Sequence, residues 1–350
     1  MPLRWRWALL PLLVLAAAVA AFFPLRSFIG SPSFSDPASA RCTAPPVAFG
    51  PNRVLSDHRE VDVHFTCQGV VIAGTLTLPK GAGPHPAVVW VHGAGETPRY
   101  TWGASFVQAL VRSGLAVLSY DKRGVGESQG ECCPGDYGHF NLLTADIVGA
   151  VHALRSRSDI DPKQIGLIGA SQAGWIVPRA AVESHVAFTA LASAGILTYG
   201  EVKAYAQLTG GDESAKPRPS KEEISRRLKE AGPSGFDPVP FLKRMTMPAL
   251  WLYGGADKEV PPDQSVALLQ RLKETMGKDF TVVVYPEAGH GLLDAPPTNP
   301  RALPTLVRWV RNRVRVPKYL TVRSTCRCAL DVGGTSQRVE GLSTDRLAVR

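Results

Sequence analysis

The stretch IGLIGASQAGW, residues 165–175, decides the fold of this chain. The apolar run 165–169 predicts a buried β-strand, and a helical pattern follows it. A serine at such a junction lies on a tight turn that pushes its hydroxyl out of the sheet and tolerates only small residues two positions to either side. Gly169 and Ala173 meet that requirement, although Ala173 adds one methyl to the glycine that is usual there. Ser171 is therefore the predicted nucleophile.

Around this stretch, short apolar segments alternate with longer amphipathic ones. The predicted strands are residues 87–92, 115–120, 165–169, 186–191, 249–253 and 281–285, and the predicted helices are residues 105–113, 142–155, 175–182, 265–275 and 303–314. Upstream, runs 61–67 and 70–78 flank Gln68-Gly69 and predict a hairpin. Alternation with continuously apolar strands is typical of an α/β protein, with a mostly parallel sheet covered by helices on both faces.

The partners that a serine nucleophile needs are a base and a carboxylate that orients the base. The predicted strand 249–253 leads to Asp257, and the strand 281–285 leads to His290. Each residue follows the carboxyl end of a separate strand, and the chain order Ser, Asp, His is the one that this sheet topology uses. We therefore predict a catalytic triad of Ser171, Asp257 and His290.

Three other residues could compete for these roles. Asp263 and Asp294 are alternative acids, but only Asp257 directly follows its strand. His92 is an alternative base, but its position at a strand end beside glycines favours a structural role in the loop.

An acyl-transfer site also needs main-chain donors for the oxyanion of the tetrahedral intermediate. The loop His92-Gly93-Ala94-Gly95 follows the predicted strand 87–92 and is placed to offer one amide beside the serine. We predict that the main-chain N–H groups of Ala94 and Gln172 form the oxyanion hole.

Five motifs together resemble a known group of enzymes. WVHGAG, SYDKRGVGESQG, IGLIGASQAGW, YGGADKEVPP and PEAGHG occur in this order, and the chain resembles bacterial α/β hydrolases related to the serine aminopeptidases, dienelactone hydrolases and acyl-thioesterases. The resemblance covers about residues 61–314. It implies the α/β-hydrolase fold, the same three catalytic residues, and bracing roles for Asp121 and Arg123 near the active site.

The segment 195–246 interrupts the alternation with clusters of Gly, Pro and charged residues, including KPRPS at 216–220. An insertion between two strands of a parallel sheet lies near the carboxyl edge where such sheets bind ligands, so we predict a small lid. A disordered surface loop is the alternative. The hydrolase domain is predicted over residues 58–315, and the basic tail 316–350 has no assigned role.

The N-terminal residues 1–40 are predicted to be a signal peptide or signal anchor followed by a linker. Arg4 and Arg6 precede an uncharged apolar run over residues 7–23, which is marginal in length for a permanent span. We expect a periplasmic or secreted protein, with membrane anchoring as the alternative. Six cysteines fit an oxidising compartment, and Cys42 could pair with Cys67.

Several classes of partner are not supported by the sequence. The net charge of +9 is concentrated at the chain ends, without a basic stripe interleaved with aromatics, so nucleic-acid binding is not expected. We expect no metal, since Cys132-Cys133 and His139 do not form a zinc pattern, and no cofactor, since no dinucleotide or phosphate loop occurs.

The predicted function is hydrolysis of esters or thioesters of small acyl groups through an acyl-enzyme intermediate. A serine peptidase or aminopeptidase on the same triad, and a non-catalytic envelope protein that binds ligands, are the alternatives. The sequence leaves the natural substrate and the oligomeric state open.

Overall fold

A computed structural model describes residues 42, 44–101, 103–132, 138–211, 215–294 and 296–316. The predicted export segment 1–40 and almost all of the basic tail 316–350 lie outside the described residues. Among the described residues, no helix is both long and apolar enough to span a bilayer.

Within the described residues, a single ten-stranded sheet forms the centre of the fold. Its strands are β1 (Val47–Phe49), β2 (Arg53–Val54), β3 (His58–Cys67), β4 (Val70–Pro79), β5 (His85–Val91), β6 (Ala116–Tyr120), β7 (Ile160–Ala170), β8 (Phe188–Ala192), β9 (Ala249–Gly254) and β10 (Phe280–Tyr285). The spatial order is β1-β3-β4-β6-β5-β7-β8-β9-β10, and β2 pairs with β3 outside this path.

The helices of the described part lie between these strands, except for the last, which follows β10. They are α1 (Gly103–Arg112), α2 (Gly138–Arg155), α3 (Ala173–Ser184), α4 (Tyr199–Thr209), α5 (Lys221–Ala231), α6 (Val239–Arg244), α7 (Pro262–Met276) and α8 (Ala302–Arg311). The six strands from β6 to β10 in the spatial order are parallel, and β4, β3 and β1 continue the sheet in antiparallel fashion. The predicted α/β class with a mostly parallel sheet is confirmed.

Strand β5 shows how both faces of the sheet become buried. Its side chains alternate between the two faces. Val88 and Trp90 pack with residues of α1 and α8, whereas Val89 and Val91 pack with residues of α2, α3 and α7. All seven residues of β5 are buried, which is why the strand is continuously apolar in its centre and lacks polar alternation.

The sheet begins further upstream than the sequence predicted. The hairpin β3–β4 turns at Gln68 and Gly69, both with positive φ (52° and 77°). However, β1 pairs with β3 through Val47 opposite Phe65, so the sheet starts before His58. A three-residue strand is too short to show a period-two pattern, which explains why the sequence did not predict this strand.

The insertion between β8 and β9 is largely helical. It contains α4, α5 and α6 and has a small core of its own, formed by Tyr205, Ile224 and Leu228. Helix α4 begins with a capping box in which Thr198 and Glu201 each accept a hydrogen bond from the other residue's main chain. The segment predicted as a lid is therefore built largely from helices, and its action as a lid stays a prediction.

Candidate active site

Ser171 occupies the tight turn between β7 and α3. Its φ is +56°, in the left-handed region that non-glycine residues adopt rarely. The turn is held to the end of the neighbouring strand, because Ser171 N–H donates to Ala192 C=O (3.0 Å) and Gly195 N–H donates to Ser171 C=O (3.1 Å). Neighbouring structure thus fixes a strained serine at the carboxyl edge of the sheet.

Small residues around the serine let the strand and the helix approach closely. A Cβ atom on Gly169 would lie 2.6 Å from Cβ of Ala173 and 2.9 Å from the carbonyl oxygen of Val91. The extra methyl of Ala173 is therefore accommodated because position 169 is glycine. A Cβ on Gly174 would similarly lie 2.5 Å from the carbonyl oxygen of Gly195.

Asp257 and His290 are hydrogen-bonded to each other. The Asp257 side chain is fully buried, and its Oδ2 lies 2.9 Å from Nδ1 of His290. Its Oδ1 accepts the main-chain N–H groups of Glu259 and Val260, both at 2.8 Å. One carboxylate oxygen thus fixes the orientation of the group, and the other is aimed at the imidazole.

The competing residues lie elsewhere or make other contacts. Asp263, at the start of α7, is half-exposed and pairs with Lys221 at 3.2 Å. Asp294 lines the same cavity as His290. His92 is buried, and its ring packs edge-to-face against Tyr120 with the centroids 5.2 Å apart. Asp257 is the carboxylate that contacts Nδ1 of His290.

A cavity of about 200 Å³ brings the predicted site residues together. It is lined by Gly93, Ala94, Ala170, Ser171, Ala192, Glu259, His290, Leu292, Leu293 and Asp294. The predicted nucleophile, the predicted base and one predicted oxyanion residue therefore share one cavity. The lining residues come from the last residues of β7 and β8 and from the loops after β5, β7, β9 and β10, and the helical insertion contributes none of them.

The predicted oxyanion donors lie on two of these loops. Gln172 directly follows Ser171 and is the N-cap residue of α3, and Ala94 lies between Gly93 and Gly95. Among the described residues, no acceptor receives the N–H of Ala94 or of Gln172. Both amides are thus available as donors.

Lys122 is a site-forming residue that sequence reasoning missed. Its side chain is buried, and Nζ donates to Gly93 C=O (3.0 Å), Gly95 C=O (2.9 Å) and Gln172 Oε1 (2.9 Å). Burial lowers the pKa of this ammonium to about 8. The available signal was a lysine placed directly after the apolar strand 115–120, where a surface charge is not expected.

The insertion contributes contacts to the acid-bearing loop that sequence reasoning also missed. Tyr205 Oη donates to Asp257 C=O at 2.6 Å. Thr209 Oγ1 donates to Lys258 C=O, and the Arg218 guanidinium donates to Gly255 C=O. The insertion therefore braces the loop that carries Asp257.

Asp121 and Arg123 have the bracing contacts that the resemblance implied. The Asp121 carboxylate accepts the Arg99 guanidinium (2.7 Å) and the main-chain N–H groups of Arg99 (2.7 Å) and Glu127 (3.0 Å). Arg123 makes two hydrogen bonds to the buried Asp146, at 3.1 and 2.6 Å. These networks hold the loop that carries Lys122.

Glu259 adds a carboxylate to the cavity wall. Its Oε2 lies 3.5 Å from Nε2 of His290, the nitrogen on the side opposite Asp257. The Glu259 side chain is 47% exposed and lines the cavity.

A strand–turn–helix serine and an Asp–His pair at successive strand ends, over a mostly parallel sheet, define the class as serine hydrolases of the α/β-hydrolase fold. The resemblance stated from the motifs is confirmed at this level. The chain belongs to the prolyl oligopeptidase family, which it matches over residues 102–315.

Curated relatives include both esterases and peptidases. The chain is 27% identical to the esterase EstD of Thermotoga maritima over 246 residues, which are 63% of this chain and 57% of that protein. It is also 27% identical to YuxL of Bacillus subtilis, an uncharacterized peptidase, over 248 residues, which are 65% of this chain and 35% of that protein. The chain thus spans less than two thirds of the length of either relative.

Solved structures share the fold. Acetyl xylan esterase 1 of Thermoanaerobacterium superposes with a TM-score of 0.57 at 21% identity, covering 77% of this chain and 89% of that one. The acylaminoacyl peptidase of Pyrococcus horikoshii gives a TM-score of 0.56 at 19% identity, covering 76% of this chain and 43% of that one.

Proposed function

We propose that this protein hydrolyses esters or thioesters of small acyl groups, with Ser171 as nucleophile, His290 as base and Asp257 as orienting acid. The observation that carries the proposal is the 2.9 Å contact between Asp257 Oδ2 and His290 Nδ1, on the wall of the cavity that Ser171 also lines. Esterases among the relatives and structural neighbours support it.

The chemistry proceeds in two halves. Nε2 of His290 accepts the Ser171 proton as Oγ attacks the acyl carbonyl, and the Nδ1–H bond to Asp257 stabilises the imidazolium that forms. The N–H groups of Ala94 and Gln172 bind the oxyanion of the tetrahedral intermediate. His290 then protonates the leaving alcohol or thiol, and a water attacks the acyl-enzyme by the reverse sequence.

The size of the cavity favours small acyl groups. At about 200 Å³ it is smaller than the pockets of about 300–1,000 Å³ that enclose drug-sized ligands. Leu292 and Leu293 give it a short apolar wall.

Para-nitrophenyl esters test the proposal. We expect butyrate to be hydrolysed faster than palmitate, and a fluorophosphonate probe to label Ser171. Ser171→Ala, whose fold is checked by circular dichroism, provides the control and should abolish both signals. Absence of turnover and labelling in the folded protein would instead favour the non-catalytic binding protein, and faster hydrolysis of palmitate would refute the preference for small acyl groups.

Aminopeptidase activity is the second candidate, because Glu259 and Asp294 place two carboxylates on the cavity wall. A carboxylate there can pair with the ammonium of a free amino terminus, and the family and one structural neighbour include peptidases. On this hypothesis, alanine para-nitroanilide is cleaved much faster than its N-acetyl derivative, and Glu259→Gln removes that preference. Equal rates for the two anilides would contradict the aminopeptidase hypothesis and keep the esterase proposal.

We also propose that the protein is exported, with the N-terminal segment as signal peptide or membrane anchor. The basic flank at Arg4 and Arg6 and the apolar run 7–23 support this. The partner is a small acyl substrate and not a nucleic acid. Fractionation of a producing cell tests the proposal. Protein in the periplasm or medium would indicate a cleaved signal peptide, and protein in the membrane fraction would indicate anchoring. Protein in the cytoplasm would contradict export.

A further inference from the structure

The buried ammonium of Lys122 links the two loops of the proposed oxyanion hole. Lys122 follows β6 directly, its exposed fraction is 1%, and Nζ donates to Gly93 C=O, Gly95 C=O and Gln172 Oε1 at 3.0, 2.9 and 2.9 Å. An ammonium has three donors, so these acceptors use all of them. Among the described residues, no carboxylate lies within 4.0 Å of Nζ.

The peptide group between Gly93 and Ala94 makes the direction of the Ala94 N–H depend on the contact of Lys122 with Gly93 C=O. A peptide bond is planar and trans, so its C=O and its N–H point in opposite directions. Because the carbonyl oxygen of Gly93 is directed at Nζ of Lys122, the N–H of Ala94 points away from the lysine. Ala94 lines the cavity that holds Ser171, and its N–H has no acceptor among the described residues.

The contact with Gln172 ties the second donor to the same cation. The Gln172 side chain accepts from Nζ, while its main-chain N–H is the other proposed oxyanion donor. A cation also polarises the carbonyl that faces it, which strengthens the N–H of the same peptide group as a donor. Burying a charge that only carbonyl oxygens solvate costs free energy. A side chain that only filled this space would not need a charge, so the charge of Lys122 indicates a further role.

We propose that Lys122 is a positioning residue for hydrolysis, which uses its ammonium to hold the N–H groups of Ala94 and Gln172 in the geometry that binds the oxyanion. The inference rests on the proposed serine hydrolase function. Lys122 acts through the two loops and does not touch the substrate.

Loss of the Lys122 proton should weaken the binding of the oxyanion by the N–H groups of Ala94 and Gln172. The neutral amine has two donors for three acceptors, and burial lowers the pKa to about 8, so the weakening begins near that pH. Charged and titratable groups on the segments packed around Lys122 are Tyr120, Asp121, Arg123, His92, Glu96 and Arg99. Hydrogen bonds between Arg99 and Asp121 outweigh burial, so the pKa of the Asp121 carboxyl is lowered and that of the Arg99 guanidinium is raised, and both groups stay charged above neutral pH. Burial raises the pKa of Tyr120, so its phenol stays neutral.

The test compares Lys122→Met with Lys278→Met. Lys278 also donates to main-chain carbonyls, those of Lys243 and Met245, but it precedes β10 and lies at the sheet edge opposite the site. We expect Lys122→Met to lower kcat for para-nitrophenyl acetate by on the order of 10- to 100-fold, less than the loss caused by deleting a donor outright. The KM should change little, because the oxyanion forms only in the transition state. Lys278→Met should keep the wild-type kcat.

A second ester separates positioning of the hole from a general structural role. In para-nitrophenyl thionoacetate the negative charge develops on sulfur, a weak acceptor, so its turnover depends less on the hole. Lys122→Met should therefore lower the ratio of acetate to thionoacetate kcat. An unchanged kcat for acetate, or an equal loss on both esters, would overturn the inference.

The wild-type pH profile decides the matter if the variant does not fold. The ratio of acetate to thionoacetate kcat should fall above about pH 8 in the wild type. In folded Lys122→Arg the ratio should stay level, because arginine remains protonated. A wild-type ratio that stays level to about two pH units above that point would overturn the inference. Hydrolysis by Ser171→Ala equal to wild type would overturn the proposed function as well, so the two failures are distinguishable.

Discussion

His290 Nδ1 lies 2.9 Å from Asp257 Oδ2, and Oδ1 of the same carboxylate is held by two main-chain N–H groups. The carboxylate thus has one orientation. Because an ionised carboxylate can only accept, a neutral imidazole in this contact carries its proton on Nδ1. In this neutral form Nε2, which lies 3.5 Å from Glu259 Oε2, is the basic nitrogen, and this is the form that a general base requires.

Removal of the acid should therefore disable the base. We expect Asp257→Ala to lower kcat for a small ester by about 10³- to 10⁴-fold, because the imidazole loses both its orientation and the charge that stabilises its protonated form. Asp263→Ala is the matched control, since Asp263 pairs with Lys221 on the surface. Steady-state kinetics at neutral pH measure both variants, and a larger loss in Asp263→Ala would reassign the acid.

The geometry of the acid loop should depend on Tyr205. Tyr205→Phe deletes the 2.6 Å hydrogen bond to Asp257 C=O and should lower the free energy of unfolding by about 1 kcal/mol and kcat by a few-fold. Thr281→Val removes the 3.1 Å acceptor of Trp309 Nε1, a hydrogen bond at the far end of β10, and should cost similar stability without changing kcat. Urea unfolding and ester kinetics distinguish them. If both variants lose kcat equally, Tyr205 acts only through global stability.

The positions of the three proposed catalytic residues were predictable from the sequence, whereas the contacts that hold their loops were not. The carboxyl ends of parallel strands meet at one edge, so Ser171, Asp257 and His290 could be placed near each other from strand patterns alone. The contacts of Lys122 with Gln172 and of Tyr205 with Asp257 join positions about 50 residues apart. They depend on side-chain direction and on how the insertion folds back, which no local pattern encodes.

Acid stability should depend on the pair of Arg99 and Asp121. Burial alone would raise the pKa of the Asp121 carboxyl, but hydrogen bonds from the Arg99 side chain and from the main chain of Arg99 and Glu127 outweigh it and hold the pKa below its usual value. A depressed pKa in the folded state contributes stability above the unfolded pKa of about 3.9, and this contribution is lost as pH falls through the folded pKa.

Asp121→Asn tests this linkage. We expect it to lower the free energy of unfolding at pH 7 by about 3 kcal/mol, because Arg99 loses its buried partner. The difference from wild type should shrink below about pH 4, as the wild-type carboxyl takes up its proton. Urea unfolding at several pH values measures the difference, and a gap that stays constant to pH 2 would contradict the assigned ionisation.

The close approach of Gly169 to Ala173 makes the turn at Ser171 sensitive to a single methyl group. In Gly169→Ala the new Cβ would lie 2.6 Å from Cβ of Ala173 and 2.9 Å from the carbonyl oxygen of Val91. Either the strand or the helix must shift, so we expect a loss of about 1–3 kcal/mol in unfolding free energy. Because that shift moves Ser171 relative to His290, kcat should fall as well.

A double-mutant cycle identifies the contact responsible. Gly169→Ala with Ala173→Gly removes the shorter clash but keeps the one with the Val91 carbonyl, so it should recover part of the lost stability and activity. Ala173→Gly alone should cost at most about 1 kcal/mol, the usual effect of glycine in a helix. A favourable coupling energy above about 0.5 kcal/mol would show that the two methyl groups compete for one space. Additive effects would mean that the backbone oxygen of Val91, and not Ala173, requires glycine at position 169.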